Sequence, residues 1–250
     1  MNKRKYAGLY LVSAFSRLNF RRLEECSSII RWLDPRRGER ILDIGCGDGY
    51  YDTVVAGKGA TVVGIDIHSP RLAIAQNFRT GEKTQFLYMD AEKMDFPDRH
   101  FDKVMSLCVI EHLADDDRVM QNIARVIKPG GQLVFSADSF SHPGITPIER
   151  TRHQKRYAVN TFYTREIISE KLGRAGFDLL QTRYILSTPL DLALARLSWK
   201  LDDLPGYLAW VGFLGYLLLG LVWKTASLFS RSGSAAPGGL TILVRAQKRP

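Results

Sequence analysis

From residue 39 to residue 138 short apolar runs alternate with amphipathic stretches. ERILDIG stops at a glycine, and TVVGIDI, TQFLYMD, FDKVMSL and GQLVFSAD repeat the form. Such runs, bounded by turn residues, read as buried strands. Between them YYDTVVAGKG, SPRLAIAQNF and DDDRVMQNIARVI have helical patterns. Strands alternating with helices predict a parallel sheet covered on both faces. Pro129-Gly130-Gly131 ends the helix carrying Ile123 and Ile127 before the next strand. From Ser139 to about Tyr163 the chain turns polar and irregular, which predicts a loop. Thr164 caps a helix over TREIISEKLGRAGF that stops near Gly176; DLLQTRYIL then reads as a strand and LTILVRAQK as the last one.

One segment breaks this rhythm. YLAWVGFLGYLLLGLVW, Tyr207 to Trp223, carries no charge. As a helix it is about 25 Å long, against a hydrocarbon layer of about 30 Å. Tyr207, Trp210 and Trp223 mark its ends as aromatic residues do at membrane interfaces, and Gly206, Gly212, Gly215 and Gly220 allow bends. The preceding PLDLALARLSWKLDD holds Asp191, Arg196, Lys200, Asp202 and Asp203, too many charges for lipid. Its leucines at 190, 194, 197 and 201 fit an amphipathic helix with an interfacial Trp199.

A chain of 250 residues holds one domain and an elaboration. Its net charge of +9 suggests an anionic neighbour, nucleic acid or a membrane surface, although the basic residues are scattered and solvated surface accounts for most of them. Three cysteines, Cys26, Cys46 and Cys108, are too few and too widely spaced for a disulfide framework or a zinc site, so no metal is expected and a reducing cytoplasm is the expected compartment. MNKRKYAGLYLVSAF imitates a signal peptide, but its apolar part is short and Arg17, Arg21 and Arg22 follow. An uncleaved helix lying over the domain or on a membrane is expected there.

The chemistry concentrates in ILDIGCGDGYY, Ile41 to Tyr51: a strand, a glycine-dense turn and a helix. Glycines let backbone approach a ligand, and the helix start offers free N–H groups. The spacing departs from the nicotinamide pattern, because Tyr50 stands where the third glycine belongs. Asp43 repels pyrophosphate and suits a cationic amino group. Asp66 ends the next strand about 20 residues on, where an acid meets ribose hydroxyls. Asp90-Ala91 ends the third strand, placed for an adenine amino group. The fourth element, FDKVMSLCVIEHL, carries Glu111-His112 to the carboxyl edge, where open α/β sheets bind ligands.

In this order, D-x-G-C-G-D-G, the acid at Asp66, Asp90-Ala91, V-I-E-H-L and P-G-G resemble the class I S-adenosylmethionine-dependent methyltransferases, in the small-molecule branch of the quinone and sterol methyltransferases. The resemblance covers about residues 39–186 and the final strand. It implies a Rossmann-like, seven-stranded, mostly parallel sheet with helices on both faces, its last strand antiparallel and inserted beside the sixth. It implies S-adenosyl-L-methionine as cofactor, with Gly45, Cys46 and Gly47 along the methionine part and Asp43 near its amino group. Asp66, followed by Ile67, would hold the ribose, Asp90 and Ala91 would frame the adenine, and Leu107 would pack under the sulfonium arm. Cys46 itself reads as a small packing residue rather than a nucleophile. A hydroxyl acceptor must lose a proton; His112, His142 and His153 are the candidates, with Tyr157 beside them, and no spacing rule selects among them.

The chain then divides into an N-terminal helical cap (1–38), a cofactor-binding core (39–186), a hydrophobic helical insertion and linker (187–239) and the final core strand and tail (240–250). In the family the sixth and seventh strands are joined at one end of the sheet, so a single membrane crossing would strand the seventh on the wrong side. The insertion is therefore expected to dip into one leaflet, on the cytoplasmic face of a membrane. A buried helix at a dimer interface or an oily acceptor tunnel is the plainer alternative, and two passes a third. The expected activity is methyl transfer to a lipid-like small acceptor such as a quinone, isoprenoid or lipid-linked intermediate. A soluble metabolite or sugar, or a non-catalytic binding role, is the alternative. LCVIEH stands where amino-methylating DNA enzymes carry their Pro-Pro-aromatic motif, which counts against nucleic acid. The oligomeric state stays open.

Overall fold

A computed structural model describes residues 19–205, 209–229 and 236–250. Expectations for residues 1–18, for Gly206 and Tyr207 and for the side chain of Trp210 lie outside the described residues. The described part begins with α1 (Phe20–Leu33). Then come β1 (Arg40–Ile44), α2 (Tyr50–Gly57), β2 (Thr61–Asp66), α3 (Ser69–Phe78), β3 (Thr84–Tyr88), β4 (Phe101–Leu107), α4 (Asp116–Val126) and β5 (Ile127–Asp138). After them follow α5 (Pro147–Tyr157), α6 (Arg165–Arg174), β6 (Phe177–Ile185), α7 (Pro189–Asp202), α8 (Ala209–Phe229) and β7 (Thr241–Lys248).

The seven strands form one sheet in the order β3-β2-β1-β4-β5-β7-β6. β1 to β5 run parallel, and β7 is antiparallel to both of its neighbours, as expected. The apolar runs are buried on both faces because helices cover both. On one face Val119, Ile123 and Val126 of α4 and Ile168 and Leu172 of α6 pack on Leu42, Val104, Phe135 and Val244. On the other, Phe20, Ile29 and Leu33 of α1 and Leu192, Leu194 and Ala195 of α7 pack on Ile41, Met105, Val134 and Leu243. Each such leucine or isoleucine contributes about 1.5–3 kcal/mol by leaving water.

The expected loop after β5 holds a helix, α5. Its apolar periodicity is absent because none of its residues is buried. The signal was its capping box: Thr146 Oγ1 accepts from Glu149 N at 3.2 Å, Glu149 Oε2 accepts from Thr146 N at 2.9 Å, and Pro147 opens the helix.

The insertion folds as a two-helix hairpin, α7 and α8, laid against α1 on the second face of the sheet. Several expectations change here. Trp223 points inward: its ring sits 5.9 Å from that of Phe20 and its Nε1 donates to Asp191 Oδ1 at 3.1 Å. Trp199 also turns inward, stacked 5.9 Å from Phe140. α8 is one helix, and Gly215 serves close approach rather than a bend, since a Cβ there would lie 2.6 Å from Leu201 Cδ1. Tyr216 donates its hydroxyl to Asp202 across the hairpin. The opposite side of α8, Leu214, Leu217, Leu218, Leu221 and Val222, faces outward and is exposed. Among the described residues no helix is long and apolar enough to cross a membrane.

Candidate active site

β1 delivers the chain into a turn in which Gly45, Gly47 and Gly49 all take positive φ, of 76°, 56° and 71°. Gly45 N and Cys46 N donate to Ile65 O at 2.8 and 3.0 Å, which pins the turn to the end of β2. A Cβ on Gly45 would lie 2.3 Å from Val109 Cγ2, so a side chain there is excluded by packing. Over Gly47 the nearest atom to such a Cβ is Arg71 Cδ at 3.9 Å, so this side of the turn stays open to a ligand. Asp66 holds the turn from β2: its Oδ2 accepts from Gly47 N at 2.7 Å and its Oδ1 from His68 N at 2.6 Å. Each oxygen keeps a lone pair for a hydroxyl. Beside it Ile67 is 61% exposed, an apolar side chain without cover.

The remaining expected cofactor residues sit along the same carboxyl edge. Asp90 accepts from Glu92 N at 2.9 Å and caps the short turn that starts at Ala91, which is buried. Leu107 ends β4 half-buried. Cys46 is buried against Leu72, Ala75 and Phe86, and burial pushes its thiol up, which suits a packing residue. Asp43 is buried, and its Oδ1 has no hydrogen-bond partner among the described residues. An orphaned carboxylate oxygen, an open glycine turn, a ribose-competent acid and an uncovered isoleucine together fit S-adenosylmethionine.

A cavity of about 130 Å³ opens at the ends of β4 and β5. α1 closes it from one side with Arg21, Arg22 and Glu25, and α5 from another with His153 and Tyr157. Three of its lining residues that are not glycine, Cys108, Phe140 and Leu186, hold φ of 48°, 47° and 55°. Each follows the end of a strand, and such conformations cost about 1–3 kcal/mol each, a cost that clusters at functional sites.

Of the three histidine candidates the structure brings two to this cavity. His153 Nε2 lies 2.6 Å from Asp138 Oδ2, and its ring centroid is 3.9 Å from that of Phe140. In the neutral tautomer with Nε2–H facing Asp138, Nδ1 keeps its lone pair. His112 lines the rim, its Nδ1 3.4 Å from Ala158 O. His142 is set aside as a base. Its Nδ1 accepts from Gly144 N at 3.0 Å and its Nε2 faces Thr188 O at 3.2 Å, so both nitrogens tie the loop after β5 to the start of α7.

Glu25 and Cys108 were not among the expected site residues, and Glu111 was expected at the ligand-binding edge without a role. Glu111 is fully buried; its Oε1 accepts from Asp138 N at 3.2 Å and its Oε2 has no partner among the described residues. Burial, then the neighbouring Asp138, hold its carboxyl well above the usual range. Cys108 donates Sγ–H to Glu25 Oε1 at 2.6 Å, and burial and Glu25 raise its pKa. Glu25 was legible only as a carboxylate on the apolar side of α1, four residues before Ile29. Cys108, Glu111 and Asp138 each offer an atom within 4.8 Å of the others and are the residues here that could hold a metal ion. A second cavity of about 270 Å³ shares His153 and Tyr157 with the first and runs between α5 and α7. Arg152, Arg156, Arg196 and Lys200 line it, with Glu149 and Asp203.

Residues 42–135 match a family model described as a methyltransferase domain. A ubiquinone biosynthesis O-methyltransferase of Pseudomonas putida is 36% identical over 125 residues, which cover 47% of this chain and 53% of that protein. The chain thus spans about half the length of the curated relatives it matches. Phosphoethanolamine N-methyltransferase 2 of Haemonchus contortus, solved with S-adenosyl-L-methionine, superposes with a TM-score of 0.67 at 22% identity, over 91% of this chain and 53% of that one. The cyclase SpnF superposes with a TM-score of 0.64 at 20% identity, over 90% of this chain and 79% of that one. At these identities the structural likeness establishes the fold.

Proposed function

The chain carries a class I S-adenosylmethionine-dependent methyltransferase domain, and from that premise we propose that it transfers a methyl group to a small, lipid-like acceptor at a membrane surface. The observation that carries the acceptor class is the hairpin. α7 walls the acceptor side through Trp199 and Lys200, while α8 turns five aliphatic side chains outward. An exposed apolar face on the helix packed against α7 suits a substrate that resides in lipid. The ubiquinone O-methyltransferase relatives support a quinone-like acceptor over the matched half of the chain.

S-adenosylmethionine, when bound, supplies a methyl group activated on positively charged sulfur. Asp43 meets its ammonium, Gly45, Cys46 and Gly47 line its methionine arm, and Leu107 packs beneath. Asp66 takes the ribose hydroxyls, Ile67 covers the adenine, and Asp90 with Ala91 frames its edge. For a hydroxyl acceptor, His153 takes the proton while Asp138 holds the imidazole and stabilises its charged form, with His112 at the rim. The main contribution of the protein is alignment, because holding the acceptor in line with the methyl group removes most of the entropic barrier.

The test uses radiolabelled S-adenosylmethionine, the purified protein and a total cell extract, with Asp66→Ala as control. Label entering the organic phase with the intact protein, and lost with the control, is the expected result. Label confined to the aqueous phase overturns the lipid acceptor. It favours a second reading, methylation of a soluble metabolite or sugar.

A further inference from the structure

Asp52, in the first turn of α2, is fully buried, and neither of its carboxylate oxygens has a hydrogen-bond partner among the described residues. Asp43, also buried, stands beside it with one orphaned oxygen. The sheet register explains the meeting. Asp43 of β1 pairs with Gly64 of β2, and Gly64 leaves the room that Asp52 fills. A Cβ on Gly64 would lie 2.9 Å from Asp52 Oδ1 and 2.7 Å from Cys46 Cβ. Gly64 therefore closes the chamber around the pair on the β2 side. Carboxylates only accept hydrogen bonds, so two of them in one dry chamber need either a shared proton or a cation.

We propose that Asp52 is a second carboxylate of the cofactor's amino-acid subsite: Asp43 and Asp52 share one proton while the subsite is empty, and the pair releases it when the ammonium group binds. The inference rests on the cofactor reading given above. The charged groups around the pair are of one sign. Asp66 closes the end of β2, and Asp48 stands in the turn; both add repulsion, which an ammonium relieves. Burial is the larger cause and pushes Asp52 up to about 7, with the backbone at the start of α2 partly offsetting it. Burial, then Asp52 itself, raises Asp43 as well. Nothing in the sequence pattern of the family assigns Asp52 this part. It reads there as one more residue of the helix after the glycines.

The proton balance is simple. Empty protein with one shared proton takes up the cofactor's ammonium and frees one H⁺ to solvent. The affinity therefore rises about tenfold per pH unit over the range in which the empty pair holds its proton, and levels off once the pair has lost it. The experiment is calorimetry of S-adenosylhomocysteine binding to the full chain, in buffers of different ionisation enthalpy, at about pH 6 and about pH 8, with Asp52→Asn alongside. The expected result is release of close to one proton at the lower pH by the natural protein and a smaller release by Asp52→Asn, whose affinity changes less between the two. A thermal melt without ligand shows that the variant is folded. Should Asp52→Asn fail to fold, the proton count of the natural protein decides alone. Binding without proton release overturns this inference and leaves the cofactor reading intact. Absence of binding by folded natural protein at the higher pH overturns both.

Discussion

At the scale of single residues, two histidines that look alike in the sequence separate by what their nitrogens meet. His153 gives one nitrogen to Asp138 inside the cavity, whereas His142 spends both on backbone. Replacing His153 by Gln is expected to lower kcat on a hydroxyl acceptor by about 10²–10⁴-fold. Its affinity for S-adenosylhomocysteine should stay within about twofold. A variant whose turnover is unaffected would remove His153 from the proton step. Replacing His142 by Ala is expected to cost about 1–3 kcal/mol of stability, because Gly144 N and Thr188 O lose their partner. A denaturant titration reads that loss, while turnover per folded molecule is retained. The glycine turn and its acids were legible in the sequence because they are consecutive in the chain. Glu25 and Asp52 were not, because their importance lies in being buried carboxylates, which only the packed structure displays.

At the scale of elements, α7 shows how a helical pattern can be read with the right period and the wrong face. The leucines at 190, 194, 197 and 201 suggested one apolar stripe. The buried stripe is Asp191, Leu194, Ala195 and Ser198, with Leu192 beside it, and Leu190 and Leu197 face out. The helix buries its small residues because α8 approaches closely there, as the contact of Gly215 with Leu201 shows. α8 has the complementary arrangement: Leu219 and Trp223 inward, and an aliphatic stripe outward at helical spacing. The triple variant Leu217→Gln, Leu218→Gln, Leu221→Gln removes that stripe without touching the inner face. The expected outcome is an unchanged thermal transition and loss of co-sedimentation with vesicles of anionic phospholipid. Retained sedimentation would refute membrane contact through α8. α5 escaped the hydrophobic pattern for the opposite reason: it buries nothing, and only its capping box announced it.

At the scale of the molecule, the ionisable groups bracket a range of best stability. Glu149, bonded to Arg196 and capping α5, is held at about 2. Its folded value lies below its unfolded one, so its contribution is complete above about pH 4.5 and is lost as pH falls towards 2. Asp52, Asp43 and Glu111 lie above theirs, so their contribution is complete only below about pH 4 and is lost progressively as pH rises from there, up to about 7 for Asp52. The melting temperature without ligand is expected to be highest at about pH 4 to 4.5 and to fall as the pH rises towards about 7. A maximum displaced to about pH 8 or above would contradict the burial of these carboxyls. The order of the sheet was legible because five strands follow one another with a helix between each pair, and the family resemblance supplied the reversed last strand. The docking of the hairpin was not, because a stretch without charge reads the same against lipid as against protein.

The place of β7 has a consequence for how the molecule is made. It lies between β5 and β6 and is their sole link in the sheet, yet it is synthesised after both and after the whole hairpin. While the chain is being translated, β5 and β6 each present an open edge to the cell, a template for mispairing. The apolar hairpin emerges in that interval, before the strand that closes the sheet exists. The protein therefore acquires its oily surface first and its finished core last. Nascent chains stalled before Thr241 should be strong clients for chaperones that shield unpaired strands.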